Sequence, residues 1–230
     1  YAALIEGMDK SLGDLMDWLE KNGEVDNTIV IFMSDNGGLS SEPGWRDGEI
    51  HTQNYPLNSG KGSAYEGGVR EPMIVRWPGV KPGSKCDKYL IIEDFYPTIL
   101  EMAGIKGYKT VQPIDGVSFM PLLKGTGDPS VGRSLFWNCP NIWGNDGPGI
   151  GPTCSVRNGD WKLIYYYETG KKELFNITED IGEHNDVARQ HPDIVKRLSG
   201  ELGTYLRKVD GQRPSFKATG KPVPWPDEIY

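Results

Sequence analysis

Apolar residues recur at helical spacing in the opening segment, where Leu4, Ile5, Met8, Leu12, Leu15, Met16 and Leu19 fall on one side of a 3.6-residue period. Asn22-Gly23 then supplies a helix stop. The pattern changes at Thr28 to Met33, a continuous apolar run without alternation. Such a run suits a strand covered on both faces in a parallel sheet. Met73 to Trp77 is a second strand candidate, ended by Pro78-Gly79, and Glu93 to Ala103 reads as a helix with Pro97 in its first turns. Beyond Asp128 the segments shorten. Arg133 to Asn138, Thr153 to Arg157, Trp161 to Tyr167 and Lys172 to Asn176 read as short strands, with Asn158-Gly159 as a hairpin turn. Ile194, Val195, Leu198, Leu202, Tyr205 and Leu206 mark a last helix opened by Pro192, and the proline-bearing tail from Gly211 reads as extended.

These elements predict an α/β chain in two parts. Residues 1–127 are expected to form part of a mostly parallel sheet with helices. Residues 128–230 are expected to form a small α+β subdomain, an antiparallel sheet packed by one helix. The first residue is Tyr1 rather than Met and sits inside a helical pattern, so the chain is expected to belong to something longer.

Composition narrows the function classes. The 230 residues carry a net charge of −7, which argues against a nucleic-acid partner. No apolar run reaches the length of a membrane span. Thirty glycines and seventeen prolines imply many loops, where binding groups concentrate. The three cysteines, Cys86, Cys139 and Cys154, form no CxxC pair and have no histidine nearby in sequence, which argues against zinc. Cys139 and Cys154 are open to two readings, a disulfide or buried thiols.

Two segments carry candidate chemistry. Ser34-Asp35-Asn36-Gly37-Gly38 follows the buried-strand candidate directly, where open α/β sheets bind ligands. Asp35 and Asn36 offer adjacent side-chain oxygens of the kind a hard divalent cation takes, although Asp-Asn-Gly is also good turn chemistry by itself. The second segment runs from Pro56 to Pro72 and contains Gly60-Lys61-Gly62 and Tyr65-Glu66-Gly67-Gly68-Val69-Arg70. Glycines on both sides of Lys61 let backbone approach a ligand, and the lysine could hold an anionic ester oxygen; a solvated loop lysine is the plainer alternative. His51 lies between the segments, within reach of a proton-donor role or simply on the surface. Trp137, Trp143 and Tyr165-Tyr166-Tyr167 are sugar-stacking candidates, against ordinary strand packing.

Taken together the segments resemble the sulfatase family of the alkaline phosphatase superfamily. The resemblance continues through Arg76-Trp77-Pro78-Gly79, Pro97-Thr98-Ile99-Leu100, Asp115-Gly116-Val117-Ser118, Arg157 to Leu163 and Glu173-Leu174-Phe175-Asn176. It implies that Asp35 and Asn36 are ligands of an active-site calcium, that Lys61 contacts a sulfate oxygen, and that Glu66 and Arg70 support the loop. Asn58 stands where many relatives place arginine. The family's nucleophile is a formylglycine made within a Cys/Ser-x-Pro-x-Arg motif. That motif is absent here: Cys154-Ser155-Val156-Arg157 lacks the proline and the spacing.

The resemblance therefore implies part of a sulfatase whose nucleophile lies outside this chain, acting on a sulfated carbohydrate or aryl sulfate. The alternatives are a phosphodiesterase or phosphonate hydrolase of the same superfamily, and a non-catalytic sugar-binding relative. The isolated chain is expected to be inactive, to hold calcium weakly or not at all, and either to self-associate through an exposed sheet edge or to be a fragment of a longer molecule. The parent protein is expected to be periplasmic or secreted.

Overall fold

The computed structural model describes residues 1–40, 52–142 and 147–229. They group into two compact units: Tyr1–Met33 with Pro72–Val131, and Ser34–Glu71 with Gly132–Tyr230. Both candidate segments thus belong to the same unit as the C-terminal strands.

In the first unit, helix α1 spans Ala2–Lys21, strand β1 Val30–Met33 and strand β2 Met73–Arg76. Of the predicted apolar face of α1, Leu19 is buried, whereas Leu4, Ile5, Met8 and Leu15 are exposed. The apolar run at β1 forms a strand, but its partner is β2 in antiparallel register, Ile31 opposite Val75 and Phe32 opposite Ile74. All four β1 residues are half-buried rather than enclosed. Parallel pairing is therefore not what the described residues display. The physical reason is that an unbroken apolar run encodes cover on both faces and says nothing about strand direction. The Arg76 guanidinium donates to the Val25 carbonyl at 2.6 Å, closing the α1–β1 connection onto β2.

Helices α2 (Glu66–Val69), α3 (Phe95–Met102) and α4 (Met120–Lys124) follow; α2 belongs to the second unit. The buried Asp94 just before α3 accepts the Val117 N–H at 2.8 Å and the Ile91 N–H at 3.0 Å. The neighbouring Gly116 cannot carry a side chain, because a Cβ there would lie 1.9 Å from the Glu93 carbonyl oxygen. The Asp115-Gly116-Val117-Ser118 motif is thus a close backbone crossing.

The second unit is built on a four-stranded antiparallel sheet in the order β3 (Ser134–Cys139), β4 (Thr153–Asn158), β5 (Trp161–Tyr166), β6 (Lys172–Asn176). Gly159 turns the β4–β5 hairpin with φ 58°, a conformation that side-chain-bearing residues avoid. Helix α5 (Pro192–Lys208) buries Leu198, Leu202 and Leu206 against Cys154, Val156, Leu163, Tyr165 and Leu174. Full burial of a leucine contributes about 2–3 kcal/mol, so these three fix the helix on the sheet. The tail is extended only in part. Val223 and Trp225 return into this core, with the Arg213 guanidinium 4.4 Å above the Trp225 ring. Gly203 leaves room for the Asp227 carboxylate, which pairs with Arg207.

The other face of the sheet carries Ile164 and Phe175, packed with Ala64 and Tyr65. That face therefore receives the glycine-rich loop. Cys139 and Cys154 are not bonded: Cys154 is buried opposite Asn138, and Cys139 is exposed opposite Thr153.

Candidate active site

The loop cluster is assembled from backbone. The Gly37 N–H donates to the Gly68 carbonyl at 3.3 Å, and the Lys61 N–H donates to the Gly38 carbonyl at 3.1 Å. These bonds bring the Asp35 segment and the Lys61 loop together. Such close approach requires glycine. A Cβ on Gly37 would lie 1.7 Å from the Gly67 carbonyl oxygen, and one on Gly60 would lie 2.2 Å from the Gly38 carbonyl oxygen. Asn54 staples the two strands of the loop. Its amide oxygen accepts the Gly38 N–H at 3.0 Å, and its amide nitrogen donates to the carbonyls of Gly38 at 2.8 Å and Ser59 at 2.9 Å. Ser59 itself is held at φ 60°, in the left-handed region, at a cost of about 1–2 kcal/mol that the staple and the glycine packing offset.

Asp35 is exposed and Asn36 is half-buried, two and three residues beyond the end of β1. The Asn36 amide nitrogen donates to the Gly37 carbonyl at 3.2 Å, which turns its amide oxygen the other way. Near Asp35 sits Glu71. Burial, and after it the charge of Asp35, push the Glu71 carboxyl up to about 6. Its Oε1 is shut off from solvent and has no hydrogen-bond partner among the described residues. Two carboxylates that repel one another, with an adjacent amide oxygen, form a donor set that suits a hard cation. Among the described residues no three His, Cys, Asp or Glu side chains gather into a metal-holding group. A calcium ion takes about six to eight oxygens, more than Asp35, Asn36 and Glu71 could supply alone.

Lys61 is half-buried between Gly60 and Gly62. Its loop is tied to the sheet side as well. Ser63 Oγ donates to the Pro148 carbonyl at 2.8 Å, and the Ala64 N–H donates to the Gly149 carbonyl at 2.9 Å. The Tyr65 hydroxyl donates to Glu173 Oε2 at 2.8 Å, as does the Tyr166 hydroxyl at 2.7 Å.

Glu66, predicted as a support, is the centre of a buried ionic group. Lys162 Nζ lies 2.9 Å from Glu66 Oε1, and the guanidiniums of Arg157 and Arg70 lie 3.3 Å from Oε2. Burial raises the Glu66 carboxyl, but Lys162, Arg157 and Arg70 outweigh it and hold the group below the ordinary carboxylate range. Glu183 is the second acid at Lys162. Burial pushes it up to about 7 despite that lysine. Its Oε1 lies 2.9 Å from Lys162 Nζ, an ion pair without good hydrogen-bond angles.

His51 and Trp143 lie outside the described residues. Trp137 is half-buried on β3. Tyr165 and Tyr167 are core residues, and Tyr166 is committed to Glu173, so the tyrosine run packs the sheet. Sequence reasoning missed Asn54, Glu71, Lys162 and Glu183. For Lys162 the one available signal was a charge near the start of an otherwise apolar strand; Asn54 and Glu183 sit among turn residues and carry none.

The family comparisons fit this geometry. Residues 1–105 match the model described as "Sulfatase", and residues 60–208 match "N-sulphoglucosamine sulphohydrolase, C-terminal". A "Sulfatase" of Formosa agariphila is 31% identical over 98% of this chain and 43% of its own length. An "N-acetylglucosamine-6-O-sulfatase" of Bacteroides thetaiotaomicron is 29% identical over 81% of this chain and 31% of its own. Among solved structures, that of Ps i-CgsB in complex with k-i-k-neocarrahexaose superposes with a TM-score of 0.76 at 30% identity, over 94% of this chain and 44% of that one. The chain spans less than half the length of these relatives. With the Asp35 and Lys61 segments joined in one loop cluster and the matches running from residue 1 to residue 208, the chain belongs to the sulfatase family.

Proposed function

We propose that this chain forms the C-terminal portion of a sulfate-ester hydrolase and contributes half of its active site. The observation that carries the reading is the backbone junction at Gly38, where Lys61 donates its N–H, so that one rigid cluster presents both a cation-binding edge and a cationic side chain. Lys61 binds an oxygen of the sulfate group and offsets charge that grows there as the ester bond breaks. Asp35 and Asn36 would hold calcium, with Glu71 beside them; when bound, the ion supplies a Lewis-acidic centre for the sulfate oxygens. The nucleophile is a formylglycine outside this chain, since the motif that makes one is absent from it. The substrate class is a sulfated carbohydrate or an aryl sulfate. A relative named for N-acetylglucosamine sulfate and a neighbour complexed with an oligosaccharide favour the carbohydrate.

In the longer protein, β1 takes further strands on its open edge to complete a mostly parallel sheet. The exposed Leu4, Met8, Leu15 and Trp18 of α1 and Ile74 of β2 are then covered. On the isolated chain the same surface drives self-association. No helix among the described residues is long and apolar enough to cross a membrane, and the reading carries with it a periplasmic or secreted setting. Turnover of a chromogenic aryl sulfate and of sulfated oligosaccharides tests the proposal. The full-length protein should release sulfate and the 230-residue chain should not; turnover by the chain alone would place a nucleophile within it.

A further inference from the structure

Three ionisable side chains are shut away together in the second unit: Glu66 is 2% exposed, Lys162 0% and Glu183 3%. Taking charges out of water is costly, and apolar residues of similar volume usually serve stability as well or better. Glu183 carries a further strain, a left-handed backbone at φ 51° that non-glycine residues avoid. A fold that keeps both burdens at one residue uses them for placement. Glu183 Oε2 accepts the Glu66 N–H at 2.5 Å while Oε1 lies 2.9 Å from Lys162 Nζ. Lys162 in turn reaches Glu66 Oε1 at 2.9 Å. The main chain and the side chain of Glu66 are therefore fixed by one closed triangle, anchored on β5 and on the turn after β6.

Glu66 opens α2, and α2 has no slack toward the site. The Gly67 N–H donates to the Asn58 carbonyl at 2.9 Å, and the Ser63 N–H donates to the Gly60 carbonyl at 2.9 Å. A Cβ on Gly68 would lie 2.2 Å from the Ser63 carbonyl oxygen and 2.6 Å from that of Gly60. The Gly68 carbonyl also receives the Gly37 N–H. Any shift of Glu66 passes through these contacts into Gly60-Lys61 and into the Asp35 segment.

We propose that Lys162 and Glu183 are positioning residues that act through Glu66 to fix the Gly60-Lys61-Gly62 loop, and with it the place at which Lys61 meets a sulfate group. The role of Lys61 rests on the sulfatase reading; the mechanical link does not, and the two are tested separately. Hydrogen exchange on the full-length protein addresses the link. Lys162→Met should speed exchange of amides 58–69 by about tenfold or more while α5 keeps its protection. Glu183→Gly, which relieves the left-handed backbone and so protects folding, should do the same. Unchanged exchange at 58–69, or a uniform rise over the whole sheet and α5, would overturn the proposal. A double-mutant cycle with aryl sulfate then reads the consequence. Lys162→Met should lower kcat more than it raises KM, and adding it to Lys61→Ala should cost less than about twofold more. Losses that multiply would overturn the positioning role. A wild-type protein without sulfate-ester turnover would sink the sulfatase reading and leave the exchange result standing.

Discussion

Lys162 Nζ lies 2.9 Å from Glu66 Oε1 with both side chains almost wholly buried, and 96 residues separate them in the chain. Removing one member of such a pair leaves an uncompensated charge in the interior. Lys162→Ala should therefore lower the unfolding free energy by about 3–5 kcal/mol. Arg157→Ala should cost less, because Arg157 is partly solvent-exposed and its partner Glu66 keeps Lys162. Urea midpoints of the two variants, compared with the parent protein, check the order; an Arg157 loss equal to the Lys162 loss would contradict it.

The acid pair at Lys162 gives a pH signature. Glu183 has its folded-state pKa raised from 4.5 to about 7. A raised carboxyl favours the protonated folded form, so its contribution is fully present below about pH 4.5 and is lost as pH rises through about 7. Glu66 runs the other way: its lowered pKa stabilises above the ordinary carboxylate range and is lost on acidification. Glu183→Gln should remove only the first effect. Relative to the parent protein, the variant should gain stability between about pH 4.5 and pH 7 in urea titrations, and the difference should level off above that. Parallel pH curves for the two proteins would show that Glu183 does not titrate in that window.

How far the sequence revealed this arrangement depends on the distance over which each feature is encoded. The β4–β5 hairpin was readable at Asn158-Gly159, because the left-handed conformation at Gly159 is a local requirement. Helix α5 was readable from its leucine spacing and Pro192. Asp35, Asn36 and Lys61 were readable as neighbours only through family resemblance. The bond that joins them, Lys61 N–H to the Gly38 carbonyl, depends on glycine packing, which no period in the sequence reports. The direction of β1 was not readable, since its apolar run specifies burial alone. The burial of Lys162 was not readable either: it lies on the sheet face covered by the loop at 63–66, and nothing near Lys162 in sequence marks that cover.

Gly37 tests the glycine packing. Its Cβ would lie 1.7 Å from the Gly67 carbonyl oxygen, which is backbone and cannot rotate away. Gly37→Ala should destabilise the protein by about 1–3 kcal/mol, the scale of overpacking. It should also weaken calcium binding to the full-length protein, measured by calorimetry, because the Asp35 segment must move. Gly13→Ala, on α1 with open space around it, is the control and should be neutral or slightly stabilising. Equal effects at the two sites would remove the packing argument.

The proposed function rests on Lys61 meeting a sulfate group. The most direct measurement is kcat/KM for an aryl sulfate in the full-length protein with calcium present, wild type against Lys61→Ala. Loss of one preorganised charge contact should lower it by about a hundredfold or more, with the melting temperature little changed. Turnover by Lys61→Ala within a few fold of wild type would contradict the assignment of this loop to the active site.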